Sequence, residues 1–555
     1  MRWLSRWIAW LPLLAVGATA ESPVADPAAA APDAPRLVVV LAIDQLRADR
    51  LTEQSQAGLG RLVREGRVYE NAALEHALTE TCPGHVTMST GRHPAAAGIP
   101  ANTLVEEAAG EARYCVDDPS EDAAVLGNPA FGRSPRTLRV EALGDWLKRA
   151  HPESKVYSVA GKDRAAITLG GQQPDGAYWY DRHVTPRFTT SRYYASELPA
   201  WITEWNGSDP PNDGFLSELP EQWTHGSISD PYRIDDFDGE NDRLERVSGH
   251  PLVSGDLAEI GDQLYASPHL DELTLQFAQE LALREDLGTD DVPDLLAVSL
   301  SGHDVVGHLY GPYSHESQDT LRRIDEGLAG FLEFLEARTG GRLVIALTSD
   351  HGVLPLPEFR APEGEPPCPE PGGRVGIRWM IAKVLIGLHF ELSPFSWPRW
   401  WLVVGGSQLG IRRELAESRG VDIDEAIAAA ERRLEAVPAI KEIWTRKEIE
   451  TREGDLAELY RHSFVPGRSG DLLVEGAPGC LIWPFDAGST HGSPHGYDRR
   501  VPLVFFGNGI APARVSGPAS TLDIAPTLAA LLGITPPEGL DGRVLLGGPD
   551  PAPTR

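Results

Sequence analysis

The sequence predicts an α/β protein, a central mostly parallel sheet flanked by helices and carrying insertions. Three observations predict it. The runs within 36–43, 294–300 and 342–347 are near-continuously apolar rather than alternating, as in strands covered on both faces. Helical patterns alternate with them, the order that builds a parallel sheet with helices on its faces. The runs lead into acids and histidines: Asp44 after the first, Asp304 and His308 after the second, Asp350-His351 after the third. Ligands in such sheets sit beyond the carboxyl ends of the strands.

Taken in order, residues 1–20 read as a signal peptide. Arg2 and Arg6 form its charged start, 7–16 its apolar run, and Ala18-Thr19-Ala20 a small-residue cleavage site. Residues 21–35 form an Ala/Pro linker. A core spans 36–360, beginning with the strand that ends at Asp44. A helix follows near 59–65 and a strand at 155–160, then Lys162-Asp163-Arg164. Residues 170–265 are turn-rich and aromatic, with Tyr178-Trp179-Tyr180, and read as an excursion packed over the core edge. A helix at 270–283 precedes the strand at 294–300, and another at 317–337 precedes the strand at 342–347. Residues 361–489 form an insertion or cap subdomain, beginning in a Pro/Glu/Gly-rich boundary. Its stretch 379–404 is apolar only in patches and makes a poor membrane span. The chain returns to the core over 490–545, with a strand near 501–506 and a closing helix near 522–532, and 546–555 is a tail. There is no internal repeat.

The chain has 555 residues, 41% of them hydrophobic, enough for a large core, and a net charge of −31. So acidic a surface argues against nucleic-acid partners. An anionic substrate would need local positive charge, which metal ions supply. Export permits disulfides between the four cysteines Cys82, Cys115, Cys368 and Cys480, in any of three pairings.

One stretch, Thr79-Glu80-Thr81-Cys82-Pro83-Gly84-His85, is too poor in large apolar residues to be explained by core burial. Pro83 suits a first helical turn, whose N–H groups attract an anion such as phosphate. Thr81 there is either a nucleophile or, with Thr79, only an N-cap. Asp304 and His308 stand four apart, on one face if the stretch is helical. With Asp44, Asp350 and His351, and a histidine from Thr490-His491-Gly492-Ser493-Pro494-His495-Gly496, they offer mixed nitrogen and carboxylate ligands that favour zinc. Lys162 and Arg164 suit the outer oxygens of a dianionic phosphate, and Asn102 offers an amide donor.

These motifs resemble the alkaline phosphatase superfamily, and within it the exported zinc-dependent phosphatases with a threonine nucleophile (PafA-type), which are related to the nucleotide pyrophosphatase/phosphodiesterases. The carriers are Ala42-Ile43-Asp44-Gln45-Leu46-Arg47, Thr81-Cys82-Pro83-Gly84-His85, Gly98-Ile99-Pro100-Ala101-Asn102, Lys162-Asp163-Arg164, Asp304 with His308, Ser349-Asp350-His351-Gly352 and Thr490-His491-Gly492-Ser493. The resemblance implies an alkaline-phosphatase-like fold from about 37 to about 532 and two zinc ions per chain. Asp44, Thr81, Asp350 and His351 would hold one, and Asp304, His308 and His491 the other. Asn102, Lys162 and Arg164 would hold the phosphoryl oxygens, and Thr81 would form a phosphothreonine. It further implies a periplasmic or secreted monomer, without a stable membrane span or nucleic-acid partner, acting on small phosphate monoesters as an alkaline phosphatase. The sequence departs from the pattern at Cys82, after the nucleophile, and at Thr103, after Asn102; neither removes a functional group. The phosphodiesterase branch would point to His495 in place of His491; His491 is taken.

Three rivals remain. A phosphodiesterase or nucleotide pyrophosphatase would share the metal core and lack the Lys162/Arg164 clamp. A sulfatase would need a Cys-x-Pro-x-Arg type motif, which Cys82-Pro83-Gly84 does not match. A binding protein that kept the fold and lost activity would be missing ligands, and none is missing.

Overall fold

The computed structural model describes residues 34–51, 55–226, 234–359, 368–370, 372–392, 401–483 and 485–546. The signal peptide and nearly all of the linker lie outside them, as do most of the 360–375 boundary and the end of the tail.

Among the described residues nine strands form the central sheet: β1 (Leu37–Ile43), β2 (Arg67–Ala72), β3 (Val156–Ala160), β4 (Gly176–Asp181), β5 (Arg187–Thr189), β6 (Asp294–Leu300), β7 (Leu343–Thr348), β8 (Leu503–Gly507) and β9 (Ala513–Ala519). Their spatial order is β9-β2-β8-β7-β1-β6-β3-β4-β5. β1 pairs in parallel with β6 and β7, and β6 continues in parallel through β3 to β4. β8 is antiparallel to both its neighbours, and β5 closes the far edge antiparallel.

β1 shows why an apolar run belongs in the middle of this sheet. Leu37, Val39, Leu41 and Ile43 pack into the core on one face, with the long helices. Val38, Val40 and Ala42 pack into the core on the other. Side chains alternate faces along a strand, so a strand covered on both sides must be apolar at every position.

Five helices matter for the site: α1 (Thr81–Thr90), α2 (Asp163–Gly170), α3 (Pro268–Arg284), α4 (Gly302–Tyr310) and α5 (His315–Thr339). α1 is buried along its whole length and ends on Gly91 at φ 63°, a left-handed cap that returns its N–H to Thr87 O. α5 starts where the Ser314 hydroxyl accepts from Ser317 N and ends on left-handed Gly340.

Tyr178-Trp179-Tyr180 lies not in an excursion over the core edge but within β4, a fully buried strand of the main sheet. Aromatic residues fill a pleated, buried surface well, so their density marked a strand. The excursion proper begins after β5. Between β7 and β8 the chain builds a second, antiparallel sheet from Leu402–Gly405, Gln408–Ile411, Leu472–Gly476 and Ile440–Thr445, packed with the helix Ile423–Glu435. The apolar patch near 379 lies in a helix over Ile377–Leu392, and no helix among the described residues is long and apolar enough to cross a membrane.

Phe277 of α3 stacks on Phe188 of β5 at 4.5 Å and is fully buried. Phe277→Ala should lower the unfolding free energy by about 3–5 kcal/mol, measured from the denaturant midpoint at unchanged m-value. A loss under about 1 kcal/mol would show that this ring does not join the edge of the sheet to its helices.

Candidate active site

The tips of β1, β3, β6 and β7 deliver their side chains to one end of the sheet, and α1 closes over them. Asp44 follows β1, Lys162 follows β3, and Asp350-His351 follow β7. The chain after β6 turns straight into α4, so Asp304 and His308 share one helical face, with Asp304 Oδ1 3.4 Å from His308 Nε2. His491 arrives from the chain before β8 and brings Nε2 to 3.7 Å from the same oxygen.

Three histidines here share one arrangement. The Nδ1 of His308 lies 2.8 Å from Ser489 O, that of His351 3.0 Å from Gly352 O, and that of His491 2.7 Å from Thr79 O. A carbonyl only accepts, so each Nδ1 carries the proton and each Nε2 a lone pair. Burial, with His351 and His308 beside it, holds the His491 imidazole well below its ordinary pKa; burial lowers that of His308 as well. Burial alone would raise the Asp304 carboxyl, but His308, Lys162 and His491 hold it well below the usual carboxylate range.

A second group gathers Asp44, His85 and Asp350. Sequence reasoning gave His85 no role. It stands one turn after Thr81 and commits both ring nitrogens, one to Thr81 O and one to the Ser299 hydroxyl, each at 2.9 Å. It therefore orients the group rather than offering it a lone pair. The nearby Nε2 of His351 lies 3.1 Å from Asp350 Oδ2, and both atoms are buried without a hydrogen-bond partner. Imidazole Nε2 atoms beside carboxylates at these spacings fit divalent zinc in both groups, Asp304/His308/His491 and Asp44/Asp350/His351.

Thr81 is the first residue of α1. The cap is Glu80, which makes no side-chain cap bond, and Thr79 donates to Ser493 O at 2.9 Å, so neither threonine serves as the N-cap. Arg164 at the start of α2 donates from Nη2 to Thr81 Oγ1 at 3.3 Å and from Nη1 to Tyr114 Oη. Asp163 accepts from Tyr114 and Arg133 and so supports the arginine. Lys162 Nζ lies 2.6 Å from Asp304 Oδ2 and 3.0 Å from Asp44 Oδ2, between the two groups. Burial works against its charge, yet Asp304 and Asp44 outweigh burial and hold it above the ordinary lysine pKa. Asn102 Oδ1 accepts from Cys82 N, which leaves Nδ2 as the amide's donor. Asn102, Arg164, His308 and His491 all line one cleft of about 450 Å³.

Gln45 was also missed. It sits at φ 67°, a left-handed conformation costly for a side chain of this kind, with its N–H on Asp350 Oδ1 and its Nε2 on Asp304 Oδ1. It ties the two groups together. His495, the alternative to His491, turns its Nε2 to Gly476 O instead. Of the three possible disulfide pairings the structure has Cys82–Cys115 and Cys368–Cys480. The first ties α1, beside Thr81, to the chain that follows Asn102.

This chain belongs to the type I phosphodiesterase / nucleotide pyrophosphatase family, whose model matches residues 38–498. The chain is similar to alkaline phosphatase PhoK of Sphingomonas sp., 31% identical over 547 residues, covering 92% of this chain and 91% of that protein. A protein of Myroides odoratus named calcium-transporting ATPase is 31% identical over 532 residues, covering 91% and 93%. The crystal structure of wild-type alkaline phosphatase PafA superposes with a TM-score of 0.81 at 28% identity, over 92% of this chain and 98% of that one. The chain is accordingly an alkaline phosphatase-like hydrolase with the fold of that enzyme.

Gly84 packs against the backbone of Asp350. A Cβ there would lie 2.3 Å from Asp350 O, so α1 and the β7 tip must part. Gly84→Ala should lower kcat by about 10²-fold, since displacements near 1 Å cost that much at a reacting centre, with the far-UV spectrum unchanged. Full activity in the variant would show that this contact does not set the position of Thr81.

Proposed function

We propose that the protein is an exported, metal-dependent phosphatase, periplasmic or secreted, that acts as a monomer on small phosphate monoesters through a phosphothreonine at Thr81. One observation carries the reading: a guanidinium, Arg164, reaches the Thr81 hydroxyl beside two groups of buried lone pairs. In this reading Asp44, Thr81, Asp350 and His351 hold one zinc, and Asp304, His308 and His491 the other. Zinc bound there supplies Lewis-acid charge, which eases deprotonation of a hydroxyl or water and neutralises oxygens that gain charge.

The chain's own groups do the rest. Thr81 Oγ attacks phosphorus in line as its proton passes to solvent; the Oγ–P bond forms, the ester O–P bond breaks, and the alcohol leaves with the electron pair and takes a proton from solvent. A water then attacks from the side the alcohol left, opposite Oγ, forming its own O–P bond as Oγ–P breaks; the proton it gives up passes through solvent to Oγ, so phosphate departs and the threonine hydroxyl returns. Asn102 Nδ2, Lys162 and Arg164 hold the non-bridging oxygens throughout. His85 and Gln45 keep the carboxylates in place. Segment 361–489 is a cap subdomain over the 36–360 core, and the alternative is a phosphodiesterase on the same core, the reaction in the family's name.

Lys162 and Arg164 decide between them. A monoester carries two negative charges near neutral pH and a diester one. A charge-assisted hydrogen bond contributes about 1.5–3 kcal/mol, about tenfold or more each. Lys162→Ala/Arg164→Ala should therefore lower kcat/KM on a monoester by at least about 10² more than on a diester, at unchanged zinc content. Equal losses on the two substrates would move the assignment to the phosphodiesterase.

A further inference from the structure

A second set of buried histidines and acids lies behind α4, on the face away from the cleft. His225 follows the short strand Gln222–Trp223, which pairs with His250–Pro251 in the excursion. Glu316 lies in the first turn of α5. His225 Nε2 and His250 Nε2 both point at Glu316 Oε1, each at 3.4 Å, and His225 Nε2 is 3.3 Å from Asp235 Oδ1. The side chains of His225 and His250 are 2% exposed and that of Glu316 is fully buried. Neither Nε2 and neither Glu316 oxygen has a hydrogen-bond partner.

The tautomers make this arrangement repulsive on its own. His250 Nδ1 lies 2.9 Å from Leu244 O and His225 Nδ1 3.4 Å from Gly226 O. Carbonyls accept only, so the protons sit on Nδ1 and both Nε2 atoms aim lone pairs at a carboxylate oxygen. Acceptors face acceptors in a dry pocket, and a cation between them removes the conflict. The spacing suits one cation in particular: two ligands about 2.0–2.1 Å from a tetrahedral zinc stand about 3.3–3.4 Å apart. The surroundings hold the donors in place. Asp235 Oδ2 accepts from Ser248 N, the Ser248 hydroxyl bonds His225 O, and Trp223 stacks near His250 at 4.6 Å.

We propose that His225, His250 and Glu316 form a structural zinc site distinct from the catalytic groups. It staples the excursion to the start of α5, five residues beyond the end of α4, and so fixes from behind the helix that carries Asp304 and His308. Three protein ligands stand at zinc spacing away from the cleft, so the ion would hold structure rather than meet substrate. The alternative occupant of the gap is a proton on His225, paired with Glu316 and Asp235.

The test is zinc content by elemental analysis after dialysis, for the full chain and two variants. His250→Ala/Glu316→Gln should bind one zinc fewer per chain than wild type. Its monoester kcat at saturating ZnCl2 should stay within about twofold, and its Tm should fall. Asp304→Asn/His491→Ala should lose a catalytic ion and keep this one, so the two readings fail separately. Equal zinc in wild type and His250→Ala/Glu316→Gln would overturn the site. Should that variant not fold, zinc-edge anomalous diffraction from wild-type crystals grown with ZnCl2 decides: a peak between His225, His250 and Glu316 supports it, and a map without one refutes it.

Discussion

A main-chain carbonyl holds the Nδ1 proton of each of three imidazoles, His308, His351 and His491, and this constraint sets the chemistry of the site. It leaves each Nε2 as a lone pair facing carboxylates. A hydrogen bond to a fixed backbone atom cannot be re-aimed without moving the fold, so the ligand geometry is as rigid as the strands that bear it. The same device recurs at His250, where it makes the acidic partner at Glu316 otherwise inexplicable.

Lys162 balances the site electrically. Carboxylates from β1 and α4 meet where the strands end, and a buried ammonium lies between them within 3.0 Å of each. Uncompensated, two buried carboxylates would repel and take up a proton. With Lys162 in place Asp44 and Asp304 stay ionised, lone pairs available, and Arg164 is left for the Thr81 side. The lysine thus serves the carboxylates directly and is within reach of whatever anion they help to bind.

Much of this was legible in the sequence because it is local. β1, β6 and β7 are apolar runs whose tips give Asp44 and Asp350-His351, and the Asp304–His308 spacing needs only a helix to put both on one face. What was not legible depends on contacts far apart in sequence. Ser299 bonds Asp44 across 255 positions, and Gln45 reaches Asp304 across 259. His85 was in plain view in the Thr81 motif, but its role follows from standing one turn after Thr81 and opposite β6. β9, the edge strand, and β2 beside it escaped notice because Arg67, Glu70 and Pro518 break the apolar pattern. Tyr114 sits on a short hairpin whose composition says nothing about Arg164.

The central claim is that Thr81 attacks phosphorus, and it is tested most directly by acid quench. Enzyme mixed with a monoester at low pH and stopped in acid should carry phosphate on the peptide containing Thr81, found by mass spectrometry. The account predicts phosphate on Thr81 itself, absent from Thr79 and lost in Thr81→Ala. Phosphate on another residue, or full turnover by Thr81→Ala, would contradict it.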